Sequence, residues 1–232
     1  NHCAEFIDSP FARTGVLEGN PIHRDMVWAA RRAGLAYIVN VVINEEKKVV
    51  YAVAGDMEAA HEAGCAFLSK YCGAAAEPAD IAISSNGGYP LDQNICQSVK
   101  GMTAAEAAVR EGGVIVMLAS AEDGTGGDEF YRCMKEKDDV RDIYADIMTR
   151  GRSETVSDQW MTQILSRILM RAAVIYVSSA DPELVRGYHL IPAATLAEAM
   201  QLAEKMLGSP NATVNAIPDG VSVMVIPKEN VK

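Results

Sequence analysis

The feature that most restricts how this chain can fold is an alternation that begins near residue 80. Val114 to Ser120 and Ala172 to Val177 are short runs without a single charge, separated by stretches whose apolar residues recur at three- and four-residue spacing. A strand with no polar side must be covered on both faces, the condition met when helices flank a parallel sheet. Asp80 to Ser85 reads as another strand, leading into the loop at 86–90, with helix from about Leu91 and a capping box, Thr103-Ala104-Ala105-Glu106, opening a further helix. Helices follow at 128–137, 140–149 and 158–169. Thr195-Leu196-Ala197-Glu198 caps a last one that ends at Gly208, before two strand-like runs, Ala212 to Ile217 and Val221 to Ile226. The expected fold is α/β: a three-layer, Rossmann-like domain with a mainly parallel sheet.

The first seventy residues have a different rhythm. Pro21 opens a helix that Gly34 ends. Two β-branched runs, Ala36 to Ile43 and Val49 to Ala54, flank the polar tip 44–48 and read as a hairpin. A helix from Met57 to about Tyr71 then runs into Gly73 and an Ala/Pro-rich stretch, which suggests a domain boundary between residues 72 and 79. This is a partial second α/β segment with a hairpin.

Composition removes several function classes. The formal charge is −10, and no basic tract offsets it, which argues against nucleic acid or an anionic membrane as partner. Apolar runs fall far short of the roughly 20 residues a bilayer span requires. Five cysteines without a CxxC pair, and four scattered histidines, fit neither a zinc finger nor a disulfide scaffold. With no secretory leader pattern, a reducing cytoplasm is the expected compartment. The chain opens at Asn1 without an initiator Met, which suggests a fragment or a processed chain.

In open α/β sheets, ligands sit beyond the carboxyl ends of the strands. The loop Asn86-Gly87-Gly88-Tyr89-Pro90 lies there, and behind it Gln97 and Lys100, three residues apart, present an amide and an ammonium on one helix face. That pair suits a carboxylate or a developing oxyanion, although a glycine turn and a solvated helix face have the same pattern. Gly124, Gly126 and Gly127 resemble a phosphate cradle, yet Glu122, Asp123, Asp128 and Glu129 would repel phosphate, so a structural turn or a negative rim fits better. Trp160 is either a core anchor or a ring that stacks on a ligand. His2 beside Cys3 offers donors to a soft metal, but two residues at a chain end do not make a site.

The stretch Ser84-Ser85-Asn86-Gly87-Gly88-Tyr89-Pro90-Leu91-Asp92-Gln93-Asn94, with Gln97-x-x-Lys100-Gly101-Met102-Thr103-Ala104-Ala105-Glu106 after it, resembles the nickel-pincer lactate racemase family. Asn1-His2, Ser9-Pro10-x-Ala12-Arg13-Thr14-Gly15, Gly55-Asp56-Met57-Glu58-Ala59-Ala60-His61, Asp158-Gln159-Trp160 and Ile217-Pro218-Asp219-Gly220 extend the likeness over nearly the whole chain. The resemblance implies two α/β domains with the active site between them. It also implies a nickel-pincer nucleotide that takes a hydride from the α-carbon of a 2-hydroxy acid and returns it to the other face. His2 would be the nickel ligand, Trp160 the aromatic beside the cofactor, and Gln97 and Lys100 the catalytic pair beside the substrate. Residues 1–69 would be the tail of the first domain, 70–215 the carboxy-terminal domain and 216–232 a return strand to the first.

The family's tethering lysine, in a Gly-Gly-Arg-Lys-Ser-like segment, has no counterpart here, and its acid/base histidines belong to sequence preceding His2. Cys96 stands where relatives often carry a tyrosine. The expectation is therefore the second half of a racemase or epimerase, inactive alone and partnered by the missing amino-terminal part. The alternative is a non-catalytic module that captures a small carboxylate.

Overall fold

The computed structural model describes residues 2–228, which divide into two compact units, one ending at Gly73 and the other beginning at Ala74.

The first unit begins with a short helix, α1 (Ala4–Asp8), and a longer one, α2 (Pro21–Arg32). Asn20 caps α2 by accepting from the Ile22 and His23 amides, and Pro21 fills a position that needs no donor. The hairpin forms where the β-branched runs place it. β1 (Ile38–Ile43) and β2 (Val49–Gly55) are antiparallel, and Asn44 ties the turn by accepting from the Lys48 amide at 3.0 Å. Asp56 caps α3 (Met57–Cys72), which lies on one face of the hairpin: Tyr51 stacks on Phe67 at 4.1 Å, and Val53 packs against Gly64. Among the described residues the opposite face has no such cover. Val39, Val41, Ile43 and Val50 there are 50% to 67% exposed.

The second unit is built on a five-stranded, wholly parallel sheet in the order β7-β6-β5-β4-β8. Its strands are β4 (Ala79–Ser85), β5 (Val109–Leu118), β6 (Ala173–Val177), β7 (Ile191–Ala193) and β8 (Val214–Ile217). Helix α9 (Leu196–Leu207) covers one face, with Ala199 and Ala203 set against Ile81, Val114, Val116 and Ile175. Thr195 caps it as expected, and Gly208 ends it with a left-handed φ of 65°. On the other face α4 (Ile95–Ala108) sits above Met117 and Tyr176, and α7 (Gln159–Arg171) packs beside it. Helices α5 (Asp128–Lys135) and α6 (Val140–Met148) extend this layer, and α8 (Pro182–Arg186) precedes β7. The unit is the three-layer α/β sandwich expected, and each fully buried apolar side chain contributes roughly 1.5–3 kcal/mol.

Two details differ from the sequence reading. No helix starts at Thr103: it lies inside α4, its hydroxyl donates to the Lys100 carbonyl at 2.6 Å, and Glu106 instead binds Arg167. The apparent linker after Gly73 is a strand, β3 (Gly73–Ala76), paired with β9 (Met224–Pro227). The end of the described chain runs from β8 into β9. Within the described residues both strands belong to the second unit. No helix among the described residues is long and apolar enough to cross a membrane.

Candidate functional site

The site is assembled at the carboxyl end of β4, where the chain turns through Asn86-Gly87-Gly88 and enters α4. Asn94 is the N-cap: its side chain accepts from the Gln97 amide at 2.9 Å, and its carbonyl accepts from the Ser98 amide. The two earlier amides of the helix are satisfied from another direction. Ile95 donates to the carbonyl of Gly124 at 3.0 Å and Cys96 to that of Thr125 at 3.2 Å. The glycine-rich loop thus turns carbonyls, not N–H groups, toward the helix start, the reverse of a phosphate cradle. Gly126 is required there. A Cβ on it would lie 2.3 Å from the Asn94 side chain, and its φ is 71°.

On this platform the Lys100 ammonium donates to the Gln97 side-chain oxygen at 2.7 Å, with Lys100 exposed and Gln97 half-buried. The structure therefore joins the amide and ammonium that their spacing placed on one face. An ammonium has three donors, so two remain for an incoming oxygen. Below the pair, the buried Ser98 hydroxyl and the Tyr176 phenol lie 2.8 Å apart, and burial pushes the Tyr176 pKa up to about 12, so the phenol stays neutral. The Cys96 thiol is held above its ordinary range by burial first and by Asp158 second, with Lys100 opposing. It is therefore a poor nucleophile at neutral pH.

Trp160 is half-buried in the first turn of α7. The N-cap of that helix, Asp158, brings its carboxylate to 3.3 Å from where a Gly127 Cβ would stand, which sets the start of α7 beside the loop that caps α4. Farther along, Arg167 of α7 grips Glu106 of α4 through two hydrogen bonds of 2.8 and 2.7 Å, fixing the two helices side by side. His2 belongs to the first unit. It stands immediately before α1, and partial burial of its ring lowers its pKa, favouring the neutral imidazole that a metal needs.

A family description, the lactate racemase C-terminal domain, matches residues 74–225. The chain belongs to the lactate racemase family. It is 55% identical to the lactate racemase of Thermoanaerobacterium thermosaccharolyticum and 52% identical to that of Lactiplantibacillus plantarum. Each comparison covers 97% of this chain but 53% of the relative. The chain thus spans about half the length of the curated relatives it matches. The structure of the lactate racemase apoprotein from T. thermosaccharolyticum superimposes with a TM-score of 0.94 at 55% identity, over 97% of this chain and 54% of that one. A protein from Thermotoga maritima at 14% identity shares the fold, with a TM-score of 0.57 over 89% of this chain.

Two contributors to this candidate site escaped the sequence reading. Asn94 followed by Gln97 at the third helical position is a helix-start signature, overlooked because helix was placed from Leu91. The role of the Gly124 to Gly127 loop had no signal, since carbonyl capping leaves no mark on side chains.

Proposed function

We propose that this chain is the carboxy-terminal portion of a nickel-dependent racemase or epimerase of 2-hydroxy acids. The observation that supports it best is the 2.7 Å Lys100–Gln97 pair, held at the solvent-facing start of α4 in a lactate racemase homologue. In this reading Lys100 receives the substrate carboxylate, or the hydroxyl oxygen as it gains carbonyl character, and Gln97 keeps the ammonium directed at it. The interaction strengthens as charge develops on that oxygen, the form of binding that accelerates a reaction.

The family implies a nickel-pincer nucleotide. Among the described residues, no group of three or more His, Cys, Asp or Glu side chains is arranged to hold a metal. A nickel ion held in a pincer that carries its own sulfurs and carbon asks for no such group from this chain. One protein nitrogen then completes the set, and the exposed, neutral-leaning His2 fits that role. Trp160 would lay an apolar face beside the cofactor and keep water away. When bound, this cofactor supplies an electrophilic ring that can take up and give back the α-hydrogen with its electron pair. Proton transfer on the substrate hydroxyl would fall to the family's histidines, which precede His2. The uncovered face of the β1–β2 hairpin would receive the amino-terminal part, and the chain alone would not racemise.

Joined to that remainder, the protein is expected to interconvert the lactate enantiomers, and Lys100→Ala should lower kcat/KM in both directions by about 10²–10³-fold. Undiminished racemisation by Lys100→Ala, or turnover by the 232-residue chain alone, would overturn the reading.

A further inference from the structure

The geometry points to Asn86 as a positioning residue for the Gln97–Lys100 pair, an inference that rests on the reading above. Asn86 is fully buried at the end of β4, and its side-chain hydrogen bonds go to backbone, not to either functional side chain. Its carboxamide instead holds the backbone that carries them. The side-chain N–H₂ donates to the carbonyl of Gln97 at 2.7 Å and to that of Leu91, while Oδ1 accepts from the Gly101 amide at 3.0 Å. The Gln97 carbonyl begins the peptide unit just after the first functional residue, and the Gly101 amide closes the unit just after the second. One planar group therefore clamps both ends of the single turn that presents the amide and the ammonium. The Leu91 bond ties that turn to the entry loop, and a bridge from Asn86 to Asp219 ties the same point to the connection after β8.

The neighbouring glycine shows how closely the parts approach. A Cβ at Gly101 would fall 2.5 Å from Asn86 Oδ1, 2.7 Å from Met117 Cε and 2.9 Å from the Ser85 carbonyl, so the helix backbone rests directly on the strand end. At that separation only a short side chain with donors and an acceptor can satisfy all three backbone groups. Aspartate, with the same shape, would turn the donors that face two carbonyls into an acceptor.

The test uses the 232-residue chain titrated with L- and D-lactate by NMR, comparing wild type with Asn86→Asp, Asn86→Ala, Lys100→Ala and Arg167→Met. Arg167→Met destabilises α4 from its far end and serves as the structural comparator. Both Asn86 variants, checked for native folding by circular dichroism, should bind lactate about tenfold more weakly or worse, and Arg167→Met should bind like wild type. Folded Asn86 variants that bind within about twofold of wild type, while Lys100→Ala loses binding, overturn the inference and leave the reading of the site standing. Should the Asn86 variants not fold, the wild-type chain decides. Its Asn86 side-chain amide signals should move with the same saturation as those of Lys100, and Asn86 signals that stay fixed while Lys100 responds overturn the inference. A wild-type chain that binds neither enantiomer overturns the inference as drawn for this chain, while the family reading is decided separately by racemisation of the joined protein carrying Lys100→Ala.

Discussion

The two units are made from much the same material and finished very differently. In the second unit, Ile115, Val116 and Ile175 are wholly inaccessible because α9 closes one face of the sheet and α4 and α7 the other. In the first, α3 closes one face of a two-stranded hairpin, and equally apolar side chains at Val39, Val41 and Ile43 are left open on the reverse. A hairpin with one covered face is marginal on its own. An exposed apolar face with two open strand edges is also a surface that other chain segments seek. The contrast teaches that apolar content does not measure self-sufficiency. What counts is whether the elements that follow in sequence return to cover both sides.

Hydrogen exchange should display this contrast at its largest. Amides of β4, β5 and β6 should exchange roughly a thousandfold more slowly than those of β1 and β2 in the same molecule. Equal protection would mean that the hairpin is as well supported as the sheet. Next in size, Ile115→Ala should cost about 3–4 kcal/mol in urea unfolding, whereas Val41→Thr should cost less than about 0.5 kcal/mol. A large loss at Val41 would show that its face is already covered. A third contrast is electrostatic. Arg167→Met strands the Glu106 carboxylate in an environment where the pair is 13–16% exposed and should cost about 3 kcal/mol. Arg31→Met, removing an exposed partner of Glu58, should cost less than about 0.5 kcal/mol.

The smallest effect concerns acid. The Thr213 hydroxyl and amide, with Arg110, hold the Asp80 carboxyl well below the usual carboxylate range. The unfolded chain therefore takes up that proton first. The stabilisation is complete above about pH 4, the ordinary range of an aspartate, and is lost as pH falls toward the depressed value. Thermal melts of the second unit should show an acid-side decline that Asp80→Asn reduces. An unchanged acid limb would remove Asp80 from the account.

The rhythm of the second unit was legible because a buried parallel strand has no polar side to disguise it, and the hairpin because β-branched runs flank a polar tip. The misreadings have specific causes. Thr103 looked like a new helix start, but it lies inside α4 just after Gly101, a glycine placed for a close approach that only the folded molecule reveals. β7 escaped because it is three residues long and contains Pro192, tolerated since the strand lies at the sheet edge. β3 escaped because Gly73 and its alanines have weak strand preference, and their partner β9 lies some 150 residues away. At the site, the Gln97–Lys100 contact followed from helical spacing alone. The hold of Asn86 on the same turn did not, because a side chain reaching 11 and 15 residues ahead to bind backbone leaves no periodic trace.

The opening of α4 has a last consequence. Its leading amides are already taken by Gly124, Thr125 and Asn94, so the main chain has nothing left there to offer a visiting anion. In the proposed reading, selectivity at that spot is written wholly in replaceable letters: one codon at position 97 or 100 would change what is welcomed, and the scaffold beneath need not notice.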